Sequence, residues 1–329
     1  MFKAVYLTQD EEKNVSAEIA DLDEVDLPEN NVAIDVEYST INYKDGLAIT
    51  NNLPVIRSWP MVPGIDLAGV VSESERADIP AGSSVVVNGW GIGEDHWGGF
   101  SQKARVNGDW TVHLPEVFTT KQTMAIGTAG YTAMLCVLAL EDHGVMPDSG
   151  PVLVTGAAGG VGSVAISILA NLGYEVHAST GRAEETPYLQ NLGATGVIDR
   201  SELSEPSKRP LAKAQWAGAV DAVGSHTLAN VLTTVMDEGC VAACGNAQGM
   251  DLPSSVAPFI LRGVTLRGVH SVYVPREKRI TAWERLAKDL KMEHLDEMTK
   301  TITLEEVIET ANEITNGQIR GRTVVDLNN

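Results

Sequence analysis

PVLVTGAAGGVGSVAISILANLGYEVHASTGR, residues 151 to 182, is the stretch from which the rest of the chain is read. Val152 to Thr155 is a short apolar, β-branched run of the kind that forms a fully buried strand, and Gly156, Gly159, Gly160 and Gly162 follow at once. Val161, Val164, Ala165, Ile168, Leu169 and Leu172 then recur at helical spacing, with Gly173 where a helix stop belongs. A second strand covers Glu175 to Ser179. The pattern predicts one βαβ unit, its glycines at the turn where a backbone approaches a pyrophosphate and offers N–H groups from a helix N-terminus. Ala158, Gly159, Gly160 and Val161 would present those groups. The spacing is G-x-x-G-x-x-G rather than G-x-G-x-x-G, and a glycine-rich turn without a ligand is the plainer alternative.

The end of the second strand decides which dinucleotide fits. A unit that binds NAD usually carries Asp or Glu there, about 20 residues past the glycines, to hold the ribose 2′-hydroxyl. This chain has Ser179-Thr180-Gly181-Arg182 instead. Hydroxyls beside an always-charged guanidinium suit a 2′-phosphate, which a carboxylate would repel. Thr180, Gly181 and Arg182 therefore point to NADPH, the alternative being an arginine that merely enters solvent.

At 329 residues the chain fits two domains, and its 43% hydrophobic and 21% charged residues are those of a globular protein. A formal net charge of −20 argues against nucleic acid and anionic membrane as partners, since both require a basic surface. The N-terminus Met1-Phe2-Lys3-Ala4-Val5 lacks a signal-peptide core, and apolar runs such as Ala133 to Leu140 are too short to span a bilayer. A cytoplasmic protein is the expectation. Cys136, Cys240 and Cys244 lie in apolar segments, as buried thiols do, rather than in disulfide or metal-ligand spacing.

Phe2 to about Gly108 is strand-like, with alternation at Val32, Ile34 and Val36 and an apolar run at Val85 to Val87. Ser39-Thr40-Ile41-Asn42-Tyr43-Lys44-Asp45 leaves a strand and enters a short helix, crowding polar groups into one turn as a core segment would not. Pro63-Gly64-Ile65-Asp66 is a turn into a buried strand. Gly89 to Phe100 holds five glycines and two tryptophans in twelve residues, which suits either a pocket lining or a glycine-rich hairpin. From Thr119 the period becomes helical as far as Glu141. Beyond the glycine turn, Gly196 to Asp199, Ala219 to Val223, Cys240 to Ala243 and Thr265 to Val269 are short apolar runs between helix-length segments, which predicts a six-stranded parallel sheet. Gly224 and Cys244-Gly245-Asn246 follow two of those strands, at the carboxyl end where such sheets bind ligands. Arg276 to Leu290 reads as a helix, and Ile319 to Asp326 as a last strand returning to the first domain.

In this order the clusters resemble the medium-chain dehydrogenase/reductase superfamily over essentially the whole chain. NYKD (42–45), PGIDLAGVV (63–71), GWGIGEDHWGG (89–99), GTAGYTAMLCVLALEDHG (127–144) and VTGAAGGVGS (154–163) are closely similar to the acrylyl-CoA reductase family of NADPH-dependent enzymes. The resemblance implies an α/β architecture: a β-rich GroES-like catalytic domain over 1–121 and 272–329, and a Rossmann doubly wound parallel sheet binding NADPH over 122–271. It also implies a homodimer. Zinc-dependent members carry a Cys in the NYKD region and Gly-His-Glu where this chain has Gly64-Ile65-Asp66, so neither zinc site is implied here.

The chemistry implied is hydride transfer to the β-carbon of acrylyl-CoA and protonation of the α-carbon, giving propionyl-CoA. Tyr43 is the candidate proton donor, since a phenol stays protonated at neutral pH, and Asn42 the candidate to orient the substrate carbonyl. The alternative for Tyr43 is to orient the nicotinamide while water supplies the proton. Thr128, starting a helix, would touch the carboxamide, and Gly245 would face the cofactor. Lys44 and Asp45 are expected to pair with each other, and His96 to serve the loop rather than as a base. The phosphates of coenzyme A require local cations, for which Arg57, Arg262, Arg267, Arg276, Lys278, Arg279, Arg320 and Arg322 are candidates. A reductase of quinones or other α,β-unsaturated carbonyls, or a non-catalytic NADPH-binding protein, would share the same scaffold.

Overall fold

The computed structural model describes residues 1–207 and 209–328. The chain divides into two compact units: Met1–Thr128, Val272–Ala287 and Met298–Asn329 form the first, and Ala129–Ser271 with Lys288–Glu297 the second.

The first unit opens with β1 (Phe2–Gln9), β2 (Val15–Leu22), β3 (Val32–Thr40), β4 (Asp66–Ser74), β5 (Ser84–Asn88), β6 (Lys103–Val106) and β7 (Thr111–His113). Period-two patterning on β3 buries Val32, Ile34 and Val36 and turns Asp35 outward. Those side chains join Leu67, Val71, Val85, Val87 and Phe100 in one core. The sequence from Gly89 to Phe100 is not the hairpin it resembles: it is a chain of tight turns with a parallel bridge between Ile92 and His96. Positive φ at Gly89, Trp90, Gly91 and Gly93 explains why glycine dominates there.

In the second unit, β8 (Val152–Val154), β9 (Val176–Thr180), β10 (Gly196–Asp199), β11 (Trp216–Asp221), β12 (Val235–Ala243) and β13 (Thr265–Gly268) form a six-stranded sheet in the order β10-β9-β8-β11-β12-β13. Every neighbouring pair is parallel, as the alternating strand and helix pattern predicts. β11 and β12 begin earlier than their apolar runs suggest, β11 at Trp216 and β12 at Val235, whose opening includes the charged Asp237 and Glu238. Winding reverses between β8 and β11, so the glycine turn after β8 and Gly224 after β11 flank the point where such sheets take ligands.

The chain then adds β14 (Thr299–Thr303) and β15 (Arg322–Asp326) to the first unit, β15 pairing parallel to β14 and antiparallel to β3. A seven-stranded sheet results, ordered β14-β15-β3-β4-β5-β7 with β6 paired to β3. The helical run Thr120–His143 is broken at Gly127, whose φ of 50° and ψ of −162° start a new helix at Thr128. By length and composition this run could cross a membrane, but most of it is buried in the protein, as a core helix is.

Candidate active site

The polar turn after β3 becomes the centre of a buried network. Asn42 precedes the helix Tyr43–Ile49, and Asp45 reaches back to accept its backbone N–H at 2.8 Å. The other Asp45 oxygen accepts the Ile65 N–H at 2.9 Å, which fixes the Gly64-Ile65-Asp66 turn against the helix. Asp66 is the hub: Oδ2 accepts from Asn42 Nδ2 at 2.7 Å and from the Thr128 N–H at 3.0 Å. Its Oδ1 accepts from the Thr128 hydroxyl at 2.8 Å and from Asn88. Arg322, from β15, donates to Thr40 Oγ1 and the Ala125 carbonyl at 2.9 Å each and to Asn42 Oδ1 at 3.4 Å.

Two carboxylates and one guanidinium are thus buried together, Asp45 at 1%, Asp66 at 0% and Arg322 at 3% exposure. An isolated buried charge is costly, so the cluster approaches neutrality by holding a proton. Burial pushes the Asp45 carboxyl up to about 7, with Asp66 pushing the same way and the N–H donors of Asn42 and Ile65 pulling against it. Burial also draws the Arg322 guanidinium down from its ordinary value, opposed by Asp66 and Asp45.

Tyr43, the first residue of the helix, is 41% exposed above this network. Asn42 departs from the expectation that it orients a substrate carbonyl: its two amide hydrogens are committed to Asp66 and to Asp45 at 3.1 Å, so it positions the turn that carries Tyr43. Lys44 does not pair with Asp45. Its ammonium meets buried Glu94 at 2.9 Å, and Arg57 takes the other oxygen of Glu94 at 3.0 Å. Both ring nitrogens of His96 are occupied, by the Trp97 carbonyl at 3.0 Å and Asn30 at 3.1 Å, and burial lowers its affinity for a proton.

Of the candidate coenzyme A cations, Arg279 and Arg322 are buried, and Arg279 donates to the carbonyls of Asn88 and Val272. Arg262 is spent on the carbonyls of Ala212, Thr233 and Val235, and Arg267 on Asp142. Burial and these internal bonds remove Arg262, Arg279 and Arg322 from the surface role; Arg267, whose ion pair with Asp142 lies at the surface, stays with Arg57, Arg276, Lys278 and Arg320. The sequence reading missed Asp66 and Glu94 as organising carboxylates, Arg322 as the charge that faces Asp66 and Asp45, and Lys44 and Arg57 as the partners of Glu94. The available signal was an acid between apolar residues, Ile65-Asp66-Leu67, where a strand should be buried.

In the second unit the glycine turn has the predicted form. Gly156 adopts φ +60°, Gly159 caps the helix Gly160–Asn171, and a Cβ on Gly162 would stand 2.5 Å from the Gly156 carbonyl oxygen. Only glycine lets helix and strand meet so closely. Asp221 ties the neighbouring loops together, accepting the Thr155 hydroxyl at 2.6 Å and the Gly224 N–H at 2.8 Å. Gly245 packs on Ala222, where a Cβ would be 2.4 Å from its carbonyl oxygen. Thr180 Oγ1 accepts the Arg182 N–H at 3.2 Å, and an Arg182 Nη lies 3.5 Å from the Ala158 carbonyl, so the guanidinium reaches back toward the glycine turn. No carboxylate follows β9 directly, and the turn and its cation fit a dinucleotide carrying a 2′-phosphate.

An alcohol dehydrogenase GroES-like domain matches residues 28–116, and a zinc-binding dehydrogenase domain residues 160–288. The chain belongs to the medium-chain dehydrogenase/reductase family. Within it, the chain is 53% identical over its full length, and over all of the relative, to acrylyl-CoA reductase AcuI of Ruegeria pomeroyi. The crystal structure of Escherichia coli YhdH with bound NADPH superposes with a TM-score of 0.96 at 50% identity, covering 99% of this chain and 100% of that one. Bacillus subtilis YhfP, a putative quinone oxidoreductase with a solved NAD-bound structure, gives a TM-score of 0.94 at 42% identity, with 99% of both chains covered. Despite the name of the second domain, no group of three or more His, Cys, Asp or Glu suited to a metal ion occurs among the described residues. Ile65 stands where zinc-dependent members have histidine, and Asp66 is taken up by hydrogen bonds, so these residues do not fit zinc.

Proposed function

We propose that this protein is an NADPH-dependent enoyl-thioester reductase that converts acrylyl-CoA to propionyl-CoA. The observation that carries the reading is 53% identity, with no uncovered segment, to a curated acrylyl-CoA reductase. The first unit serves as the catalytic domain and the second as the nucleotide-binding domain.

Ala158 to Val161 would hold the pyrophosphate of NADPH, Thr180 to Arg182 the 2′-phosphate, and Thr128 and Gly245 the nicotinamide end. When bound, NADPH supplies a hydride to the β-carbon of the substrate. The electron pair of the double bond then moves toward the thioester oxygen, where negative charge develops and a hydrogen-bond donor lowers the barrier. Tyr43 is that donor, and its hydroxyl passes the proton to the α-carbon. Asn42, Asp45 and Asp66 fix the turn on which it stands, and the phenol regains its proton from solvent.

The likeness to YhfP favours a second reading, reduction of a quinone, which needs no site for coenzyme A phosphates. Isotope placement tests the first. With NADPH deuterated at the transferred position, propionyl-CoA should carry one deuterium on its β-carbon and none on its α-carbon. Label on the α-carbon, or acrylyl-CoA left unreduced, overturns the proposal.

A further inference from the structure

The helix Tyr43–Ile49 is followed by a loop, residues 50–60, that is neither helix nor strand. Its first backbone bonds are local: the Asn51 N–H donates to the Ala48 carbonyl at 3.4 Å, Asn52 to Leu47 at 3.2 Å and Val55 to Leu53 at 2.8 Å. Leu53 is exposed, whereas Ile56 packs on the core of the first unit. The loop is tied down at Arg57, whose N–H donates to the Glu94 carbonyl at 2.7 Å and whose guanidinium donates to Glu94 Oε2 at 3.0 Å. Ser58 adds a bond from its hydroxyl to the Asp95 carbonyl at 3.3 Å. Asp95 itself, 3.6 Å from Arg57 and nearer the surface, is the weaker partner. The other Glu94 oxygen accepts from Lys44 at 2.9 Å, and Lys44 directly follows Tyr43. A loop that leaves the far end of the Tyr43 helix thus returns to the end where Tyr43 stands, and one carboxylate holds both arms.

The Glu94 side chain is 5% exposed, against 35% for Lys44 and 56% for Arg57. It stands on a closely packed turn: the Glu94 N–H donates to the Gly91 carbonyl at 3.0 Å, and a Cβ on Gly93 would lie 2.9 Å from the Gly64 backbone. Charge-assisted hydrogen bonds to a buried carboxylate hold two long side chains in a way that an exposed ion pair does not. A shift of about 1 Å beside a reacting group can cost about a hundredfold in rate, so a loop that borders a proton donor has to be held still. We propose that Glu94 is a positioning residue. By holding Lys44 and Arg57 together it fixes the loop against the Tyr43 helix, and with it the geometry in which the acyl group meets Tyr43, while taking no part in holding NADPH. This inference rests on the reading of Tyr43 as the proton donor of an acrylyl-CoA reductase.

The test uses Glu94→Gln in the full-length protein, which keeps the shape of the side chain and removes its charge. It should lower kcat/KM for acrylyl-CoA by about tenfold or more and leave the Kd of NADPH within about twofold. Glu94→Asp, which keeps the charge, should recover part of the loss. Trypsin should cut after Arg57 faster in Glu94→Gln than in the wild type, because the end of the loop is released. In a Tyr43→Phe background Glu94→Gln should cost little more, since both changes act on one step. Should Glu94→Gln not fold, Arg57→Met, which leaves Lys44 on the carboxylate, should show the same selective loss. Unchanged kcat/KM, equal losses for acrylyl-CoA and NADPH, unchanged cleavage, or costs that add to those of Tyr43→Phe overturn the role of Glu94 and leave the reductase reading intact. A wild type that reduces no acrylyl-CoA overturns both.

Discussion

Tyr43 and Asp45 lie in one helical turn yet meet opposite surroundings, the first 41% exposed and the second 1%. That contrast separates a residue that can touch substrate from one that can only hold its neighbour in place. Tyr43→Phe keeps the ring and removes the hydroxyl, so turnover should fall by about a hundredfold or more, the scale of general acid catalysis, while NADPH binding changes little. Unchanged turnover would assign the proton to water or another group. Asp45 acts through stability. An unfolded Asp titrates near ~3.9, whereas burial pushes the folded Asp45 to about 7. Between those values the folded state binds the proton more tightly than the unfolded chain does, so the contribution of this group falls as the pH rises across the window. The urea midpoint of the wild type should therefore decline relative to Asp45→Asn between pH 4.5 and about 7. A constant difference between the two would mean that Asp45 is not held protonated.

At the scale of elements, β15 adds one strand to the sheet of the first unit and also delivers Arg322 to the buried network, where it donates to Thr40, Ala125 and Asn42 and attracts Asp66 and Asp45. Removing one partner of such a buried set costs about 3–5 kcal/mol, because the charges left behind stay unmatched. Arg322→Ala should lose stability on that scale by denaturant titration, a large share of the roughly 5–15 kcal/mol that a domain possesses. A loss under about 1 kcal/mol would show that the cluster is solvated in solution. The elements themselves were legible because their signals are local. The strand, glycine turn and helix of 151–182 sit in one window, and apolar runs mark further helices and strands without help from distant residues. The opening of β12 was missed because only Val235 pairs there with β11 and the register shifts before Cys240, an irregularity that no local apolar pattern marks.

At the scale of the whole molecule, the family and the cofactor turn were readable, but the buried network around Asp66 was not. Its bonds join residues 24, 62 and 280 positions apart, and no spacing rule reaches that far. Ion pairs were misread for the same reason: Lys44 finds Glu94, 50 residues on, rather than the adjacent Asp45. A net charge of −20 adds a condition of its own, since NADPH and the proposed coenzyme A substrate are both anions, which a negative protein repels at long range. The residues that admit them must therefore act locally, within about one Debye length, roughly 10 Å at 0.1 M salt. The most direct measurement is the oxidation of NADPH by the purified protein with acrylyl-CoA, crotonyl-CoA and a simple quinone side by side. A preference for acrylyl-CoA by orders of magnitude is the predicted result; faster reduction of the quinone would contradict it.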